Sequence, residues 1–101
     1  MAKFVQIIEY TTTNEKRAEM DKLTDEWLAA TKGKRTAGRT VSTSDRDKPN
    51  TYVDIIEFPS YEEAMKNNDL PETSEFAKKA GELSDGPPSF RNLDVMRIDE
   101  D

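Results

Sequence analysis

Tyr52-Val53-Asp54-Ile55-Ile56-Glu57-Phe58 is the stretch that decides the fold. Successive strand residues point to opposite sides of a sheet. Val53 and Ile55 therefore share one face, and Tyr52, Ile56 and Phe58 share the other. An earlier run, Phe4-Val5-Gln6-Ile7-Ile8-Glu9-Tyr10, behaves the same way, with Phe4, Ile8 and Tyr10 set against Val5 and Ile7. A sheet that is apolar on both faces needs two covers, and the helices of a 101-residue chain supply one. The most economical second cover is another copy of the chain. A homodimer joined through the sheet face is thus an expectation of the sequence itself.

Working outward, residues 3–12 read as the first strand. Thr11-Thr12-Thr13-Asn14 marks its end and offers caps for a helix, with capping-box spacing from Thr12 to Glu15 and Thr13 or Asn14 as alternatives. Met20, Leu23, Trp27 and Ala30 recur at helical spacing, so the first helix runs to about Lys32, with Gly33 as its stop. A weaker strand spans 35–45, where Gly38 suggests a bulge or a close backbone approach. The polar turn from Asp45 to Asn50 closes a hairpin onto the Tyr52–Phe58 strand. Ser60 and Glu63 form a capping box that opens a short second helix ending near Asn67-Asn68. Pro71 suits the first turn of a third helix, whose apolar set is Phe76, Ala77, Ala80 and Leu83. Gly86-Pro87-Pro88 breaks it, and a last strand runs from Phe90 to Ile98 before an acidic tail. The order is β-α-β-β-α-β with a split second helix. This is an α+β, ferredoxin-like pattern with an antiparallel four-stranded sheet, in one domain over 1–101.

The chain contains neither cysteine nor histidine. That removes disulfides, thiol catalysis, the commonest general base and the commonest metal and haem ligand, so no cofactor or metal is expected. A net charge of -6 disfavours nucleic acid and anionic membrane as partners, both of which reward clustered Lys and Arg. No signal-peptide or membrane-span pattern is present, which makes the cytoplasm the expected location.

Several polar residues stand where the pattern calls for apolar ones. Gln6 shares a face with Phe4 and Ile8, Asp54 with Tyr52 and Ile56, and Asn92 and Asp94 with Met96. A buried polar group is costly unless hydrogen-bonded. These residues either pair across strands or between subunits, for instance with Arg39 or Arg91, or they form a ligand-orienting cluster. In the second case Asp54 or Asp94 would be raised in pKa and able to act as a base. Glu9 and Glu57 fall on the opposite face near strand ends. Trp27 is either a core anchor of the first helix or a pocket wall that stacks on an aromatic ligand. Arg39 belongs to a basic, solvated run or else anchors a phenolate or carboxylate. Tyr61, Asn67 and Asn68 either pack and terminate the second helix or contact a ligand.

Three segments carry a resemblance: Phe4–Tyr10, the junction Val53-Asp54-Ile55-Ile56-Glu57-Phe58-Pro59-Ser60-Tyr61-Glu62-Glu63-Ala64, and the ending from Asp85 to Val95. Together they make nearly the whole chain similar to the dimeric α+β barrel superfamily and its antibiotic-biosynthesis-monooxygenase-like (ABM-like) proteins. The ending also resembles small uncharacterised actinobacterial members. The resemblance implies two sheets packed face to face, and a pocket between each sheet and its helices. Activity ranges within the superfamily from cofactor-free monooxygenases to haem-degrading enzymes, isomerases and proteins without known activity. Its haem-degrading branch relies on an axial histidine that has no counterpart here. The monooxygenase branch implies a small aromatic ligand, with Trp27 and Tyr61 as ring contacts, Asn67 as oxyanion donor, Arg39 as anion anchor, Asp54 as base and Asp94 beside the substrate. That branch's tryptophan more often lies near the second helix, whereas Trp27 is on the first. The alternative implied is a ligand-binding or assembly module without turnover.

Overall fold

The computed structural model describes residues 3–100. Strand β1 (Phe4–Thr11) leads into helix α1 (Asn14–Ala30), strands β2 (Thr40–Ser44) and β3 (Thr51–Phe58), helices α2 (Tyr61–Asn68) and α3 (Pro71–Leu83), and strand β4 (Ser89–Asp94). The strands form one sheet in the order β2-β3-β1-β4, with every neighbouring pair antiparallel. This is the expected α+β ferredoxin-like arrangement, with the second helical segment split into α2 and α3.

Register fixes which side chains share a face. Phe4 lies opposite Phe58, Ile8 opposite Asp54 and Tyr10 opposite Tyr52. On the far side of β1, Gln6 faces Asn92 and Phe4 faces Asp94. All of these belong to the side that carries the helices. At one end of that side Phe4, Phe58 and Ala64 are buried, and Ala37, Ile56 and Met65 pack around them. Tyr61 meets the Phe4 ring edge-on at 5.5 Å. The opposite sheet face carries Val41, Val53, Ile55, Val5, Ile7 and Leu93 by the same alternation, and each remains half-buried.

Local signals account for the element ends. Thr13, not Thr12, caps α1, its hydroxyl accepting from the Lys16 N–H at 3.2 Å. Thr12 is fully buried instead and donates its hydroxyl to the Leu83 carbonyl at 2.7 Å. The Ser60 cap forms as expected, accepting from the Glu63 N–H at 3.2 Å, and Pro71 occupies the first turn of α3. Gly33 adopts φ +83°, a left-handed stop just beyond α1 that suits glycine. β2 is shorter than the expected 35–45, for a visible reason. Gly38 N–H donates to the Glu57 carbonyl while Glu57 N–H donates to the Arg39 carbonyl, each at 2.8 Å. Two residues thus oppose one, which is a bulge, and it interrupts the ladder before Thr40. A Cβ on Gly38 would lie 3.4 Å from the Glu57 carbonyl oxygen, so the close approach is real as well. β4 stops at Asp94 rather than Ile98. One more bond, from Val95 N–H to the Lys3 carbonyl at 2.9 Å, ends the ladder, and beyond it Met96 is 93% exposed.

Because the core is small and concentrated at one end of the sheet, truncating its centre should be severe. Phe58→Ala is expected to cost about 3–5 kcal/mol, whereas Ser60→Ala should cost about 1 kcal/mol through the lost cap. Urea denaturation of the two variants checks both the values and their order.

Candidate functional site

The register that pairs Ile8 with Asp54 and Tyr10 with Tyr52 makes Tyr10 and Asp54 diagonal neighbours on the helix side of the sheet. They lie at the end of that face away from the Phe4–Phe58 core, beneath the start of α1. The Tyr10 and Tyr52 rings stack, centroids 5.6 Å apart at 27°. From α1, Arg17 brings its guanidinium to 5.1 Å above the Tyr52 ring and forms an ion pair with Asp21 one turn further on. The Tyr52 hydroxyl donates to Asn14 Oδ1 at 3.3 Å. Ser42 stands directly across from Asp54 on β2.

Two polar atoms in this cluster are buried without a partner: the Tyr10 hydroxyl and Asp54 Oδ1. Tyr10 is only 6% exposed. Leaving such groups unpaired costs about 1–3 kcal/mol each, so native chains rarely do it without a use for the atom. Burial and, after it, the nearby Asp54 carboxylate push the Tyr10 hydroxyl up to about 12. Burial likewise raises the Asp54 carboxyl above the ordinary carboxylate range. Arg17 and the Ser42 hydroxyl pull it back, and Asp21 adds to the rise. A carboxyl that holds its proton more tightly than usual is a stronger base in its ionised form. The cluster therefore sets a buried hydroxyl donor beside a strengthened carboxylate acceptor, over an aromatic floor.

The remaining sequence candidates occupy four other places. Tyr61 and Asp94 come together, lining a groove of about 520 Å³ with Ser60, Val95 and Met96. Trp27 borders a second groove, of about 500 Å³, between α1 and α3. Its indole N–H donates to Thr73 Oγ1 at 3.0 Å, its ring lies 5.9 Å from that of Phe76, and Arg35 sits over it at 5.5 Å. Asn67 is buried, and its side-chain oxygen accepts from the Thr36 N–H at 3.2 Å, which leaves the amide nitrogen as its donor. Arg39 is held at the β2 edge by Glu57 Oε2, at 2.8 and 3.1 Å. The polar alignment expected across the strands is partly realised: Gln6 donates to Asn92 at 3.3 Å, while Asp54 stands across from Ile8 and Ser42. Tyr10 and Arg17 were invisible as candidates because Tyr10 reads as an apolar strand residue and Arg17 as solvated helix. The signal for Tyr10, parity with Asp54 across paired strands, needs the register, and that for Arg17 needs the packing of α1 over the sheet. Among the described residues no group of three or more His, Cys, Asp or Glu is placed to hold a metal ion, and no helix is long and apolar enough to cross a membrane.

No family model matches the sequence, and no curated protein does. Solved structures do match. A proposed antibiotic biosynthesis monooxygenase from Caulobacter crescentus CB15 superposes with TM-score 0.81 at 14% identity, over 95% of this chain and 92% of that one. SnoaB, a cofactor-independent oxygenase from Streptomyces nogalater solved as an asparagine-to-alanine mutant, gives 0.78 at 17% identity over 95% of both chains. A conserved protein from Methanosarcina mazei Go1 gives 0.79 at 12% identity over 92% of both. At these identities the likeness establishes the ferredoxin-like fold that this chain shares with these proteins.

The raised Asp54 carboxyl has a measurable signature. The folded chain binds this proton more tightly than the unfolded one, so ionising the group on going to neutral pH removes stability, and that loss is absent below the ordinary carboxylate range. Asp54→Asn should therefore raise the melting temperature at pH 7, and the gain should close as the pH falls below about 4. Melting curves of parent and variant across this range check it, and a gain that widened on acidification would contradict the assignment.

Proposed function

We propose that this chain is a small-molecule pocket protein acting as a cofactor-independent monooxygenase on an electron-rich phenol or anthrone-type substrate. The observation that carries the reading is the buried Asp54 carboxyl, unpartnered at Oδ1 and raised in pKa, between sheet and helices in a fold shared with a cofactor-independent oxygenase. Asp54 takes a proton from the substrate, leaving an electron-rich carbanion or phenolate that O₂ oxidises directly. For an anthrone, a carbon–oxygen bond forms at the deprotonated carbon and gives a hydroperoxide. That intermediate then loses water to leave a ketone, so one O₂ converts the methylene to a carbonyl plus water. The protein's contribution is orientation, a charge-matched environment and exclusion of water. The other residues the resemblance implies, Asn67, Arg39, Trp27, Tyr61 and Asp94, lie at four other places on the chain and take no part at Asp54 in this reading.

Oxygen consumption with a panel of hydroquinones and anthrones tests this. The protein should accelerate uptake above the uncatalysed rate, and Asp54→Asn should reduce the catalysed part by about 100-fold or more. Uptake at the uncatalysed rate across the panel would remove the proposal.

One observation favours a second reading, a ligand-binding or assembly module without turnover. Trp27, Asn67 and Arg39 already spend hydrogen bonds inside the chain. Both readings share a homodimer: among the described residues the Val5, Ile7, Val53 and Ile55 face, opposite the helix side, stays half-buried, and a second copy would close two such faces into a barrel. Ile7→Lys, placing a charge in the middle of that face, should convert a dimer to a monomer in native mass spectrometry. A parent protein that is already monomeric would remove the dimer from both readings.

A further inference from the structure

The geometry points to a recognition site for a neutral aromatic hydroxyl, held between the Tyr10 hydroxyl and Asp54 Oδ1, which discriminates against carboxylates. It rests on the reading above that the helix side of the sheet holds the ligand, and it adds Tyr10 and a charge preference to that reading. Three observations carry it. First, the two unpartnered atoms are complementary: a phenol hydroxyl can donate or accept, a carboxylate oxygen can only accept, and they belong to diagonal neighbours on one face. A guest hydroxyl is itself donor and acceptor, so it satisfies both at once, whereas a carboxylate can satisfy only Tyr10. Second, the local charge is set against anions. Asp54 and Asp21 both act on Tyr10, and the cation that acts on it among the described residues, Arg17, is already paired with Asp21 and seated over Tyr52. A guest carboxylate would meet an unpaired Asp54 charge in a poorly solvated site, which costs far more than the same contact in water. Third, the surroundings suit an aromatic body. The stacked Tyr10–Tyr52 pair supplies one surface, and Ile8 and Ile56, half-buried on the same face, supply apolar contact. Tyr10 thus contacts the substrate hydroxyl while Asp54 receives its proton.

The test compares 2-naphthol with 2-naphthoate, which share a ring system and differ in the group presented. Binding is measured by isothermal titration calorimetry under nitrogen, so that turnover plays no part. The parent protein should bind 2-naphthol at least about tenfold more tightly than 2-naphthoate. Tyr10→Phe keeps the ring and its stack but removes the hydroxyl, and should weaken 2-naphthol about fivefold with unchanged circular dichroism. Asp54→Asn should shrink the discrimination by improving 2-naphthoate relative to 2-naphthol. Equal affinity for the two probes, absence of 2-naphthol binding, or a Tyr10→Phe variant that binds like the parent would each overturn the inference. Oxygen uptake on the same preparations separates it from the oxygenase reading. Tyr10-dependent naphthol binding without any accelerated uptake removes the oxygenase and leaves this site standing. Accelerated uptake that Tyr10→Phe does not change, with naphthol bound equally by both proteins, does the reverse.

Discussion

Everything in this structure depends on the register of β1 against β3. With Ile8 opposite Asp54, the even-numbered residues of both strands point toward the helices and the odd-numbered ones away. A slip of one residue would turn over the side chains of the strand that moved, against those of its partner. If β1 slipped, Phe4 would leave the core and Val5 would enter it while Phe58 stayed in place. Tyr10 would also leave its place beside Asp54. Register is strongly held because the Phe4–Phe58–Ala64 core at one end and the Tyr10–Tyr52 stack at the other both require it.

Between these two ends the sheet tolerates a cost. The Phe4 end buries Phe4, Phe58 and Ala64 against one another, the arrangement expected of a region whose role is stability. The Tyr10 end buries a hydroxyl and a carboxylate oxygen with nothing to bond, against neighbours whose charges partly cancel. Such polarity is expensive in a low-dielectric setting, and a chain with a core this small has little stability to spare. The expense is understandable if a guest completes the bonds, since the penalty then returns as affinity and specificity. The division of the face into a stabilising end and a costly end follows directly from which side chains sit at even positions in two strands.

Much of the fold was legible from alternation and punctuation. The two-faced strands gave the sheet, the Ser60–Glu63 box and Pro71 placed two helix starts, and Gly38 announced the bulge that shortens β2. What could not be read were features that depend on long-range partners. Thr12 looked like a cap because its spacing to Glu15 is right, but the carbonyl of Leu83, far along the chain, claims its hydroxyl. The strand through Ile98 kept its alternation in sequence, yet a strand needs a neighbour, and the ladder ends with the bond to Lys3. The site shows the same division. Asp54 stood out because a charge among Val and Ile is conspicuous in one strand. Tyr10 did not, since an aromatic in a strand is unremarkable until the register sets it beside a carboxylate. Trp27 likewise has a long-range partner that its own spacing does not show: its indole N–H is bonded to Thr73 and ties α1 to α3.

The tie at the end of β1 has a consequence for how the chain comes together. Thr11 and Thr12 bond to Asn50, Leu83 and Asp85, with Thr12 accounting for the first two and Thr11 meeting Asp85 in both directions. Three connections far apart in sequence are thereby fastened at one point. The bond to Asn50 needs the chain from α1 to the β2–β3 turn to close, and those to Leu83 and Asp85 need both later helices in place as well, closures that are entropically expensive before they are rewarded. The threonines therefore act as a latch that engages late. Local opening of the α3–β4 connection would have to release β1 at the same moment, so the two ends of the domain are bound into a single cooperative unit rather than fraying separately.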